Sequence, residues 1–298
     1  MNLSPKTQIL LAAILMSAAQ FVVYGPVLNN SFLKYDDDVY VYENKNIKTL
    51  NAETVAAMFA RPYYRSYTPI AILSHAIDYS IWRDSSWGHH LTGLLLHSMN
   101  SVLVFLLSIL ILSIYRESRK EGRQIRSAGL LFRADSSIVT GAFLAAVFYS
   151  LHPVRAESVA WVSDRKDLLL ALFLLPCIMA YIKYDGVRGT KRALPWFLVS
   201  LGFYVLAVLS KSIATIAPLL LISLDWCLLH RHEIRQKWGT LLLEKFPFFI
   251  LSIGFGILAM VATKESQLSD VVMKMSSLQR ALMPFYSVVF YPVKILAP

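Results

Sequence analysis

Residues 8 to 41 read QILLAAILMSAAQFVVYGPVLNNSFLKYDDDVYV, and this stretch decides the fold class. The run from residue 8 to residue 28 is apolar and matches the roughly twenty residues that a helix needs to cross the hydrocarbon of a bilayer. Three consecutive carboxylates, Asp36, Asp37 and Asp38, follow within the segment from Tyr35 to Val41. The chain thereby pins an acidic cluster next to lipid head groups, where chemistry on a lipid-borne substrate would need it. A run of acids is equally an ordinary solvated loop, and the choice between the two rests on the remainder of the chain.

Of 298 residues, 56% are hydrophobic and 16% charged, against about a quarter charged in soluble domains. Further apolar stretches cover 91–115, 136–151, 168–184, 194–210, 213–229, 246–262 and 281–298. The hydrocarbon holds no water, so every backbone N–H and C=O within such a stretch must bond internally, and the spans are helices. The expectation is an all-α polytopic membrane protein of about eight transmembrane helices. It forms a single domain over residues 1–298 with a long first external loop over 29–90. The stretch 136–151 is short and is expected to continue past His152-Pro153, while Pro284 and Pro292 interrupt the last one.

Lysine and arginine set the orientation. With a cytoplasmic N-terminus, the inner segments 1–7, 116–135, 183–193 and 230–245 hold 15 Lys+Arg against 6 Asp+Glu, and the outer segments hold 13 against 12. Nearly all of the net charge of +10 is therefore cytoplasmic in origin, as expected where positive residues stay inside. Basic residues such as Arg116, Arg119, Lys120, Arg123 and Arg126 are dispersed over short loops. That argues against a nucleic-acid partner and fits anionic lipid head groups. Lys6 and Ser17-Ala18-Ala19 could also serve a signal peptide, although the apolar run continues to Leu28. Cys177 and Cys227 fall at different depths of their spans, so no disulfide is expected between them.

The first external loop is too long to be structureless. Asn51 can cap a short helix through Ala60 with Val55, Met58 and Phe59 on one face. Thr68 can cap a second, with Pro69 at its first position and Ile70, Leu73, Ile77 and Ile81 at helical spacing. The second is expected to lie in the interface, apolar face in lipid and His75 and Asp78 toward water. Between them, Arg61, Tyr63, Tyr64, Arg65 and Tyr67 suit either head-group anchoring or a phosphate clamp. In the second external loop, His152, Arg155, Glu157, Asp164, Arg165, Lys166 and Asp167 suit a self-satisfied salt-bridge network or a site shared with the first loop. Lys211 stands alone between two spans, free to snorkel or to meet an anion.

Residues His90, His97, Asn100 and Ser101 form a polar stripe down one helix face. Interhelical packing is the expected role, because no third metal ligand is evident from spacing. Asp225 is expected to pair with a cytoplasmic cation such as Arg231. The three adjacent acids leave room for a Mg²⁺ or Mn²⁺ ion held partly by water. There is no Gly-rich phosphate loop and no nucleophile elbow.

These same residues carry a family resemblance. Tyr35-Asp36-Asp37 with Tyr40-Val41 and Glu43-Asn44, Tyr64-Arg65, Asp78-Tyr79, Trp87-Gly88, His90 and His97 are similar to the membrane O-mannosyltransferase-like proteins that carry C-terminal tetratricopeptide repeats. The likeness continues through His152-Pro153-Val154, Glu157, Asp164-Arg165-Lys166-Asp167 and Ser210-Lys211. That family belongs to the C-type, polyprenyl-phosphate-dependent glycosyltransferases. The resemblance implies an inverting, extracytoplasmic transfer of a sugar, mannose by analogy, from a polyprenyl-phosphate donor to a protein or glycan hydroxyl. Asp36 and Asp37 occupy the catalytic positions, and Asp38 looks additional. Arg65, His152, Glu157, Asp164, Arg165 and Lys211 match positions expected to bind the donor. The chain departs from the family at Ser66 and Ser212 and ends at Pro298 inside an apolar stretch, as a fragment would. The competing classes are a transporter or flippase of a lipid-linked sugar, and a non-catalytic membrane scaffold.

Overall fold

A computed structural model describes residues 4–64, 66–121, 134–229, 238–264 and 276–296. The protein is an all-α polytopic membrane protein. Its helices are α1 (Pro5–Tyr24), α2 (Ala52–Ala60), α3 (Pro69–Trp82), α4 (Ser86–Glu121), α5 (Ser136–Leu151), α6 (Ala156–Ala160), α7 (Arg165–Gly186), α8 (Ala193–Ser210), α9 (Ala217–Cys227), α10 (Trp238–Lys264) and α11 (Ser277–Leu296). Among the described residues the only β pairing is an isolated bridge between Tyr63 and Ser66.

Among the described residues five segments are long and apolar enough to cross a membrane alone: Pro5–Asn29, Ser86–Arg119, Val162–Gly186, Ala193–Ser210 and Leu241–Ala262. The pair Ser136–Leu151 and Pro153–Ala160, bent by 52°, adds a sixth if it counts as one span. The chain does continue past His152-Pro153, but with a bend, since proline has no N–H to extend the ladder and the His152 ring instead accepts from Val154 N at 3.2 Å. The two other expected spans, 213–229 and 281–298, are the shorter apolar helices Ser212–Cys227 and Phe285–Ile295. In the first of these a 3₁₀ turn precedes the 11 residues of α9, whose length of about 16 Å is half the hydrocarbon thickness. Helix α4 is the opposite case, because its 36 residues extend about 54 Å and must project beyond the bilayer.

Large apolar side chains such as Leu15, Leu219 and Ile253 lie on the outer surface, each at least 60% exposed, as lipid-facing positions require. The inside is knitted by polar groups. The stripe of α4 faces inward as expected: His97 Nε2 contacts Ser150 O at 2.9 Å, Asn100 donates to Leu168 O at 2.8 Å, and Ser101 hydroxyl donates to His97 O at 2.9 Å. Each of those side chains is fully buried. Cys177 and Cys227 are both free thiols.

Both short helices of the first loop form where expected. Asn51 and Thr54 make a reciprocal capping box at the start of α2, and α3 starts at Pro69 after Thr68. The orientation of α3 is corrected. His75 and Asp78 face inward, 1% and 3% exposed, while Ile77 and Ile81 face out. The polar side turns in because Arg165 at the start of α7 brings a buried guanidinium against it, 2.6 Å from Asp78. A Cβ on Gly88 would stand 2.2 Å from Trp82 Cγ, so glycine lets α4 start directly beneath the end of α3.

At the opposite end, Asp225 on α9 accepts from Tyr181 hydroxyl on α7 at 2.9 and 3.0 Å and ion-pairs with Lys245 on α10. Arg231, the cation expected for Asp225, lies outside the described residues. Lys245, counted in the sequence as a loop cation, is fully buried. Removing one member of a buried pair strands the other. Lys245→Met is therefore expected to cost about 3–5 kcal/mol, and adding Asp225→Asn to recover much of it. Unfolding of the two variants in detergent checks this.

Candidate active site

The candidate site forms where the loop after α1 meets the 152–164 loop, both at one end of the bundle. Asp37 makes the joint. It is 1% exposed; Oδ2 accepts from Leu33 N at 2.9 Å, and Oδ1 accepts from Ser163 N at 2.9 Å and Ser163 Oγ at 2.5 Å. Trp161 Nε1 donates to Tyr35 O at 3.1 Å in the same seam. A carboxylate taking backbone donors from both loops holds them in one register.

The neighbours of Asp37 point elsewhere. Asp36 sits at φ +66°, a left-handed conformation that aspartate adopts more readily than most residues, and its carbonyl accepts from Tyr40 N at 2.8 Å. Asp38 Oδ1 accepts from Val39 N at 2.9 Å. Both Asp36 and Asp38 line an open cleft of about 510 Å³, with Tyr40, Tyr64, Lys166 and Lys211 among the other walls. Tyr64, at φ +55°, is a second non-glycine residue of the cleft in left-handed backbone. Such conformations persist only where the surroundings over-determine them. Here Tyr63 hydroxyl donates to Val39 O at 2.8 Å and the Tyr63–Ser66 turn closes with backbone bonds of 3.0 and 3.1 Å. Burial raises the Tyr63 phenol above its ordinary value, so it remains a donor.

Behind the cleft a buried network fixes the start of α7. Arg165, 1% exposed, pairs with Asp78 and donates to His89 O at 2.9 Å, while Thr92 hydroxyl donates to Asp78 Oδ1 at 2.8 Å. Lys211 ion-pairs with Asp167 and lies 3.6 Å from Asp164.

The structure thus gathers some of the expected residues and separates others. Asp36 and Lys211 share the cleft, Asp37 lies behind its wall, and Asp164 stands beside Lys211. Arg165 is spent on the buried network. His152 and Glu157 do not line the cleft: His152 Nε2 contacts Ile295 O at 2.7 Å, and Glu157 is exposed on α6. Arg65 lies outside the described residues. Lys166 and Tyr64, noted in the sequence without an individual role, enter the lining, and so does Asp38, set aside in sequence as additional. The available signal for Lys166 was its position: successive helix residues point about 100° apart, so Arg165 and Lys166 could not both face the core. Among the described residues no three His, Cys, Asp or Glu side chains are arranged to hold a metal ion.

What fold and site define is a helical membrane protein with an acid-and-lysine cleft at one end of its bundle. Among known proteins, the chain is similar to the protein O-mannosyl-transferases. It is 29% identical over 210 residues to protein O-mannosyl-transferase TMTC4 of Homo sapiens, covering 64% of this chain and 27% of that one. It is 25% identical over 260 residues to TMTC2 of the same organism, covering 82% and 27%, and 28% identical over 172 residues to Tmtc3 of Drosophila melanogaster, covering 55% and 18%. The chain therefore spans about a quarter or less of the length of these relatives. No protein-family model and no solved structure matches it.

His75 gives the network a pH signature. Burial, and then the Arg165 charge, hold its pKa well below histidine's ordinary 6.5. As pH falls through about 6.5, the unfolded chain takes up a proton that the folded chain refuses, so stability is lost below that value. Unfolding temperatures in detergent are expected to decline from pH 7 toward pH 5, at a slope that His75→Gln reduces.

Proposed function

We propose that this chain is the membrane portion of a glycosyltransferase of the C-type architecture. It moves a sugar, mannose by analogy with its relatives, from a polyprenyl-phosphate donor to a protein hydroxyl, with inversion and on the extracytoplasmic face. The observation that carries the reading is the cleft, where carboxylates from the first loop face lysines from later elements. The relatives' printed names supply the reaction class, and the excess of Lys and Arg on the opposite segments supplies the sidedness.

In this reading the acceptor oxygen attacks the anomeric carbon, and the bond to phosphate breaks with its electron pair leaving on the phosphate. The acceptor proton passes to a carboxylate within hydrogen-bond reach. Asp36 is that base: it lines the cleft and its carboxylate is not committed to the loop seam. Asp37 is a positioning residue, since both its oxygens are engaged with backbone or Ser163. Lysine ammonium groups meet the charge developing on phosphate. No separate energy source is needed, because the lipid phosphate is itself a good leaving group.

Transfer of radiolabelled sugar from defined polyprenyl-phosphate donors by the full-length protein tests the assignment. Asp36→Asn is expected to lower transfer by about 10²–10⁴ with unchanged unfolding temperature. Asp37→Asn is expected to lose about 1–3 kcal/mol of stability along with activity. Full transfer by Asp36→Asn would remove the catalytic assignment, and a transporter or a scaffold would show no transfer at all.

For sidedness, cysteine at the exposed Ser85, with Cys227 replaced by serine, is expected to react with an impermeant thiol reagent on intact cells. Labelling only after permeabilisation would invert the topology.

A further inference from the structure

We infer that Lys166 is the group that meets the phosphate oxyanion of a lipid-linked ligand in this cleft, with Lys211 acting as a positioning residue; the inference rests on the reading above. Three lysines line the cleft, Lys34, Lys166 and Lys211, and their surroundings differ. Lys211 is ion-paired to Asp167 with Asp164 3.6 Å away. Two carboxylates around one ammonium leave that corner with no surplus positive charge.

Lys166 has the opposite environment. Its Nζ lies 5.6 Å from the Tyr40 ring centroid and 5.9 Å from that of Trp161. Aromatic faces hold a cation through their quadrupole and leave its full charge available. Among the described residues no carboxylate comes within ion-pair distance of it, and its charge reaches Asp164 only from farther away.

Its backbone is also fixed by the residues that precede it. Ser163 is bonded to the buried Asp37, and the adjacent Arg165 to the buried Asp78. A cation on a pre-set backbone loses little freedom when an anion arrives. Lys34, by contrast, is exposed on a loop, where solvent and salt screen it. Among the described residues the remaining charges that face the cleft, Asp36 and Asp38, repel an anion. A bound phosphate therefore needs a cation outside a close ion pair, and Lys166 provides one.

The test is binding of farnesyl phosphate, a lipid phosphate without sugar, to the full-length protein in detergent, with farnesol and inorganic phosphate as comparison ligands. Lys166→Gln is expected to weaken farnesyl phosphate at least about tenfold, in line with loss of a charge-assisted contact, and to leave farnesol unchanged. Lys166→Arg is expected to retain most of the binding, while Lys48→Gln, a lysine over the Tyr79 ring away from the cleft, has no effect. Farnesyl phosphate binding unchanged in Lys166→Gln, or weakened together with farnesol, would overturn the assignment. So would inorganic phosphate competing as well as farnesyl phosphate. Because binding is read without turnover, absent sugar transfer in the parent protein would sink the glycosyltransferase reading and leave this measurement standing on its own.

Discussion

One buried carboxylate ties the functional end of this protein together. Asp37 has no access to water, and a charge in that position is tolerable only because backbone N–H groups and a hydroxyl from two distant segments point at it. The loop after α1 and the start of α7 are more than a hundred residues apart in the chain, and Asp37 with Ser163 brings them into contact. The direction of Asp36 and Asp38, the seam between Tyr35 and Trp161, and the exit of Lys166 all follow from that contact.

The second constraint lies directly behind it. Asp78 and Arg165 form a buried ion pair to which Thr92 donates on the acid side, while the guanidinium also donates to Ser74 and the His89 carbonyl. Buried ion pairs are weak evidence for stability, because desolvation consumes most of the attraction. Their use here is geometric: the pair docks α3 against α4 and α7 in one orientation behind the cleft. Where an interfacial helix was expected to turn its polar side to water, the guanidinium gave that side a better partner indoors.

The cleft sorts neighbouring residues into different tasks. Three consecutive aspartates become one clamp and two walls, because left-handed backbone at Asp36 swings its side chain away from the direction of Asp37. Arg165 and Lys166 divide in the same way between core and cleft. Lys211, the lone polar residue between two spans, is neutralised by acids from the start of α7. In a membrane protein such economy is expected, since each charge drawn from water must be matched or put to use.

Composition and apolar spacing by themselves determined that the chain is helical and membrane-embedded, because lipid offers no partner to an unpaired backbone group. They also determined the positions of the long spans, the capping of α2 by Asn51, the start of α3 at Pro69, where Thr68 makes no side-chain capping bond, and the inward polar stripe of α4. That the acidic loop and Lys211 share one site was an expectation from the family resemblance, since spacing alone left Lys211 free to snorkel or to meet an anion. Only the tertiary structure decided which acid is buried, which lysine keeps its charge, why His152 and Glu157 stand apart, and that Lys245 is a core residue. Those outcomes depend on what a side chain meets across the bundle. A one-dimensional pattern records how polar a residue is and how it is spaced, and carries no trace of the partner from another helix that makes burying it tolerable.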